Sequence, residues 1–112
     1  MPYFDKKGKP ITADEWIELF DNMKYRRMLD TSVGWGRVAT VWIGVDHSHV
    51  IDGDEPPMIF ETAVYGADDD EEFKEAYSNI KDATEGHKDA VEWARTQVKR
   101  WKAERMKRPV ND

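Results

Sequence analysis

The stretch Val33–Val45, "VGWGRVATVWIGV", decides how this chain folds. It is rich in β-branched and aromatic residues, which suit a pleated, half-buried backbone. In an extended segment side chains alternate between faces. Val38, Thr40 and Trp42 therefore share one face, and Val41, Ile43 and Val45 share the other. Both faces are apolar, so the segment reads as a central strand covered on at least one side. A second strand follows at 57–66, "PMIFETAVYG". There Met58, Phe60, Thr62 and Val64 point one way, and Ile59, Glu61, Ala63 and Tyr65 the other. Pro56 and Pro57 mark where regular pairing begins.

Working outward, "YFDKKGKPI" (3–11) sets Asp5 and Gly8 between apolar pairs and predicts a small hairpin. Thr12 followed by Glu15 is a capping-box pattern. Trp16, Leu19, Phe20 and Met23 then recur at helical spacing, which predicts a helix over 13–23 that ends within 24–29. Downstream, Phe73, Glu75 and Tyr77 alternate and predict a short edge strand. Ser78 is a candidate N-cap. Ile80, Ala83, His87, Ala90, Ala94, Val98 and Trp101 form an unbroken helical stripe, so a long helix is expected over 79–106, stopped by Pro109. Gly86 inside it costs about 1 kcal/mol relative to Ala and implies close packing. The expected fold is α+β: a small antiparallel three-stranded sheet, with an N-terminal helix and a long C-terminal helix packed on one face. The chain reads as one domain over 1–112, with a frayed tail at 107–112.

Composition narrows the functional classes. With 39% hydrophobic residues in 112, there is material for one core. There is no cysteine, which excludes disulfides, thiolate nucleophiles and cysteine-based zinc sites. No apolar run approaches the ~20 residues of a membrane span, and the N-terminus lacks the apolar region of a signal peptide. A cytoplasmic protein with no membrane association is expected. The formal charge of -6 disfavours nucleic acid as a partner. The basic end Lys99–Arg108 keeps RNA contact as an alternative, beside its simpler reading as cations complementing a helix dipole. There is no phosphate-binding loop, dinucleotide turn or nucleophile elbow. No cofactor is expected.

The blocks "YFDKKGKPIT" (3–12), "DEW" (14–16), "YRRM" (25–28), "TVW" (40–42), "GVDH" (44–47), "IFET" (59–62) after two prolines, and "ATEGH" (83–87) following "YS" (77–78) occur in that order. They resemble a group of short, uncharacterised proteins of bacteriophages and prophages. The resemblance covers about residues 3–88. It implies a phage origin and a shared architecture, and it transfers no catalytic residues. The loop "DHSHVIDGDEPP" (46–57) is longer here than in the group.

Two kinds of site are legible. The first is a contact surface for a host or phage protein, with a second copy of the chain a further candidate partner. Its residues are the exposed aromatics Trp35 and Trp93 and the acidic run Asp68, Asp69, Asp70, Glu71 and Glu72. Trp and Tyr are favoured at binding hot spots, and the acidic run is otherwise a solvated loop. Through such a surface the protein would bind or inhibit a host enzyme or defence component. The second is a metal site for a small hydrolase or nuclease. His47 and His49 point the same way in extended backbone, Asp46, Asp52 and Asp54 offer oxygens nearby, and Glu61 and His87 are the remaining candidate ligands. The plain alternatives are a polar loop for His47 and His49 and a core histidine for His87. For Glu61 they are a half-covered rim position or an ion pair. No residue is singled out as catalytic.

Overall fold

The computed structural model describes residues 2–46 and 56–107. His47, His49, Asp52, Asp54 and the expected tail beyond Lys107 lie outside them.

The chain opens with a two-stranded ribbon, β1 (Tyr3–Phe4) and β2 (Pro10–Ile11). Its turn is built by Asp5, whose carboxylate accepts the amides of Lys7 and Lys9. The first helix, α1 (Ala13–Phe20), starts with the expected capping box between Thr12 and Glu15. It stops three residues before the expected end. Asn22 is the reason, because its side chain accepts the amides of Lys24 and Tyr25 and caps a new four-residue helix, α2 (Met23–Arg26). Met23 is therefore half exposed and leaves the apolar stripe.

The main sheet has four strands, not three. They are β3 (Arg27–Val33), β4 (Gly36–Trp42), β5 (Phe60–Tyr65) and β6 (Glu71–Tyr77), in an antiparallel meander of that spatial order. The additional strand is β3. The expected single strand starting at Val33 is instead the end of one strand and all of the next, joined by the turn Gly34–Trp35. Gly34 has φ +55°, a conformation that strains other residues, and this frees the chain to reverse there. The edge strand β6 is as expected.

The long helix α3 (Ile80–Lys107) crosses one face of this sheet. Its first turn is capped by Asn79, whose Oδ1 accepts the Asp82 amide, rather than by Ser78. The register puts Val38, Thr40 and Trp42 of β4, and Phe60, Thr62 and Val64 of β5, beneath α3, and all six are fully buried. Trp42 and Trp101 are both core residues, as their periodicity implies. α1 does not lie along this face. It packs at the Trp42 end, where the Trp16 indole N–H donates to the Ile43 carbonyl at 2.9 Å. The ribbon closes the same end, with the Trp42 indole N–H donating to the Phe4 carbonyl at 3.1 Å.

The core has two apolar clusters. One gathers Val33, Val38, Val64, Ala90, Ala94 and Trp101. The other gathers Trp42, Ile59, Phe60 and Ala83, with Trp16, Phe20 and Tyr25 packed against it. Between them along the strands lie Thr40, Thr62 and His87, all buried. On the second face, among the described elements, the short helix α2 borders the sheet beside Ala39 and Val41. The side chains of this face follow from the register as three cross-strand rows: Arg27, Val41, Glu61 and Ala76; Asp30, Ala39, Ala63 and Lys74; Ser32, Arg37, Tyr65 and Glu71.

Candidate contact surface

Trp35 and Asp68 meet at the C-terminal end of α3, through Arg105, whereas Trp93 lies midway along that helix beside Phe73 of β6. Trp35 stands at the tip of the β3–β4 turn and is half exposed. The guanidinium of Arg105, from the last turns of α3, lies 5.0 Å from its ring centroid. Such a cation–π contact contributes about 0.5–1 kcal/mol at an exposed site. Arg105 is in turn held by Asp68, at 2.6 Å. Asp68 and Asp69 both have left-handed backbone, φ 59° and 62°, in the short 3-10 turn Ala67–Asp69. Aspartate tolerates this conformation better than most residues.

Glu72 ties the other end of the acidic run to the same helix. Its carboxylate accepts the indole N–H of Trp101 at 2.6 Å and pairs with Arg100. Arg100 also pairs with Glu104 at 2.8 Å. Trp93 packs edge-on against Trp101, with centroids 6.4 Å apart, and stacks on Phe73 at 6.0 Å. It remains 38% exposed, so one side of the indole is held while the other meets solvent. Glu71 points to the opposite face of the sheet and pairs with Lys74 at 3.1 Å. The acidic run is thus not one uniform patch: Asp68 and Glu72 are joined to the basic end of α3.

Each indole is thus in contact with groups of its own fold, Trp35 with Arg105 and Trp93 with Phe73 and Trp101. Pre-ordered aromatic anchors lose little conformational freedom on binding. The charged groups around them form a polar rim of the kind that surrounds interface cores.

The candidate metal ligands among the described residues are not gathered at one point. His87 lies under α3, with Nδ1 2.7 Å from Thr40 Oγ1 and Nε2 2.9 Å from Thr31 Oγ1. Burial pushes its pKa below the ordinary value, and the carboxylate of Asp30 pulls weakly the other way. His87 is a buried core histidine whose two ring nitrogens both meet threonine hydroxyls. Glu61 is on the other face of the sheet, 3.6 Å from Lys74 Nζ. The sheet therefore separates Glu61 from His87. Glu71 and Glu61 together hold the Lys74 ammonium above the usual lysine range. Asp46 accepts the Met58 amide at 2.9 Å and fastens the two ends of the 46–57 loop to each other. Among the described residues no group of three histidine or acidic side chains is placed to hold a metal. No helix among the described residues is long and apolar enough to cross a membrane.

Two groupings escaped the sequence reading. One is the Thr31–Thr40–Thr62 set around His87, signalled by threonines at same-face positions of apolar strands. The other is the trio Arg26, Arg27 and Arg37, hidden because its members come from a helix and two strands. No protein family model, curated protein or solved structure matches this chain.

Proposed function

We propose that this protein works by contact, as a small phage-type protein that binds, and by binding inhibits, a host enzyme or defence component. The observation that carries the reading is the pair of half-exposed indoles, Trp35 and Trp93, each braced by groups of its own fold. Solvent-facing tryptophan adds little to folding stability, whereas at an interface it is among the strongest contributors. The phage resemblance of residues 3–88 supports a partner in the infected cell. The separation of Glu61 from His87 by the sheet leaves the hydrolase reading without a common centre for those two groups.

The test is a host interaction screen with the intact chain, repeated with Trp35→Ala and Trp93→Ala. Exposed substitutions typically shift stability by no more than about 0.5 kcal/mol. Trp35→Ala should melt close to the wild type, whereas Trp93→Ala also loses the Phe73 stack. A captured host protein should be released at least tenfold faster by Trp35→Ala, roughly the loss of one hot-spot side chain. Unchanged binding by both variants would reject this surface.

A further inference from the structure

The sheet face away from α3 holds a second site, separate from the two indoles. Arg26, Arg27 and Arg37 line one cleft of about 220 Å³, together with Met23, Val41 and Tyr65. Ala39 is part of its floor. The sheet register explains the hollow: the small side chains of Ala39 and Ala63 form a low row between the taller rows of Arg27 and Val41 on one side and Arg37 and Tyr65 on the other.

The ionic partners of these arginines are unusual for this chain. Carboxylates outnumber cations enough to give a net charge of -6. Arg95, Arg100 and Arg105 each pair with a carboxylate. Arg37 pairs with Asp30 at 3.3 Å, and its guanidinium lies 4.9 Å from the Tyr65 ring centroid. Arg26 and Arg27 have no carboxylate partner among the described residues. Arg26 only donates to the Phe20 carbonyl and rests over the Phe20 ring. These two arginines are adjacent in sequence and line the same cleft. With the Arg37–Asp30 pair neutral, the cleft carries two positive charges.

The geometry points to a binding site for a phosphate monoester carried on a small molecule with a flat or apolar body, a nucleoside monophosphate being the simplest case. A phosphate monoester carries about -1.5 to -2 charges at neutral pH and offers three acceptor oxygens, which matches two guanidiniums. A single carboxylate would leave one of them uncompensated. The floor of Ala39 and Val41 and the Arg37–Tyr65 stack would receive the body of the ligand, since guanidinium and aromatic planes both accept a stacked ring. The cleft is smaller than the roughly 300 Å³ where drug-sized pockets begin, so a dinucleotide or larger cofactor is a poor fit. The negative charge of the remaining surface opposes a long polyanion.

The test is titration calorimetry on the whole protein at low salt with adenosine 5′-monophosphate, adenosine and inorganic phosphate. The monophosphate should bind saturably and shift the amide resonances of Ala39 and Val41. Adenosine should bind at least about tenfold more weakly, the loss expected when charge-assisted hydrogen bonds are removed. Inorganic phosphate should also be weaker, because it makes no contact with the floor. Arg27→Gln and Arg26→Gln should each weaken the monophosphate by about tenfold while the circular dichroism spectrum stays unchanged. Saturable binding that ignores both substitutions, absence of binding, or equal affinity for adenosine or for inorganic phosphate would overturn the proposal.

Discussion

His87 Nδ1 lies 2.7 Å from the hydroxyl of Thr40, which itself lies 2.6 Å from the hydroxyl of Thr62. On the far side, Nε2 is 2.9 Å from Thr31 Oγ1. One helical imidazole thus joins hydroxyls from three strands, in a polar band between two apolar clusters. Neutral imidazole has one donor and one acceptor nitrogen, and each hydroxyl can donate or accept, so every member of this chain is satisfied. Among the described residues no buried side-chain nitrogen or oxygen is left unpaired.

The band makes stability depend on pH. Burial lowers the His87 pKa below its usual 6.5, so the folded state resists protonation while the unfolded chain does not. Its contribution is complete above the unfolded value. It falls as pH drops below 6.5 towards the lower folded value, because the unfolded state then binds more protons. Asp30 opposes this shift without reversing it. Urea titrations between about pH 7.5 and 5.5, where histidine is the side chain that ordinarily titrates, should show stability declining with acidity. In His87→Gln that decline should be much shallower. A wild type as stable at the acid end as at neutrality would contradict a buried, neutral His87.

Thr40 is the junction of the same chain, and its removal separates geometry from packing. Thr40→Val keeps the shape but deprives both the His87 nitrogen and the Thr62 hydroxyl of a partner. A buried polar group left unsatisfied costs about 1–3 kcal/mol. Thr40→Val should therefore destabilise by about 2–4 kcal/mol. Adding Thr62→Val removes one of the stranded groups, so the double variant should lose less than the sum of the two single changes. Strict additivity by chemical denaturation would show that the hydroxyl–hydroxyl contact carries no coupling.

Glu72 was legible in the sequence only as one of five acidic residues on a loop, yet it satisfies the buried indole N–H of Trp101. Glu72→Ala should destabilise by about 1–3 kcal/mol through that unsatisfied donor. Glu72→Gln keeps an acceptor oxygen, losing chiefly the charge that pairs with Arg100, and should cost less. A chemical unfolding curve followed by circular dichroism for each variant gives the comparison. The result also bears on binding: a variant neutralising all of Asp68–Glu72 would change folding and surface charge together, so single exposed positions are the cleaner probes.

Periodicity carries the parts of this fold whose residues repeat at fixed steps. The α3 stripe, the two apolar strands and the capping box at Thr12 were all visible for that reason. β3 was not, since "RMLDTSV" mixes Arg27, Asp30 and Ser32, which face the side away from α3, with Leu29, Thr31 and Val33. A bulge between Arg27 and Leu29 breaks its alternation further. Trp35 and Trp93 could be read as lying off the core stripes. Their links to Asp68 and Glu72, through Arg105 and Trp101, depend on how far α3 extends along the sheet, a long-range relation that local spacing does not encode. The arginine cleft was hidden for the same reason, with Arg37 brought to Arg26 and Arg27 only by the β3–β4 pairing.

Gly86 offers a last test, in which two opposing effects can be weighed. In an exposed helix, replacing glycine by alanine gains about 1 kcal/mol of helix propensity. Gly86 is buried, however, and a Cβ there would overlap the ring and hydroxyl of Tyr77 on the edge strand β6. Tyr77 packs against the cluster around Trp42 and Phe60, so its ring cannot swing away without loss of contact. Overpacking of this kind costs about 1–3 kcal/mol, enough to cancel or reverse the propensity gain. Gly86→Ala should therefore be neutral to destabilising by about 2 kcal/mol. The same substitution made in a Tyr77→Ala background should be stabilising, because the overlap is gone while the propensity gain remains. A sign that fails to change between the two backgrounds, read from paired thermal melts, would mean that Tyr77 does not set the approach of α3 to the sheet.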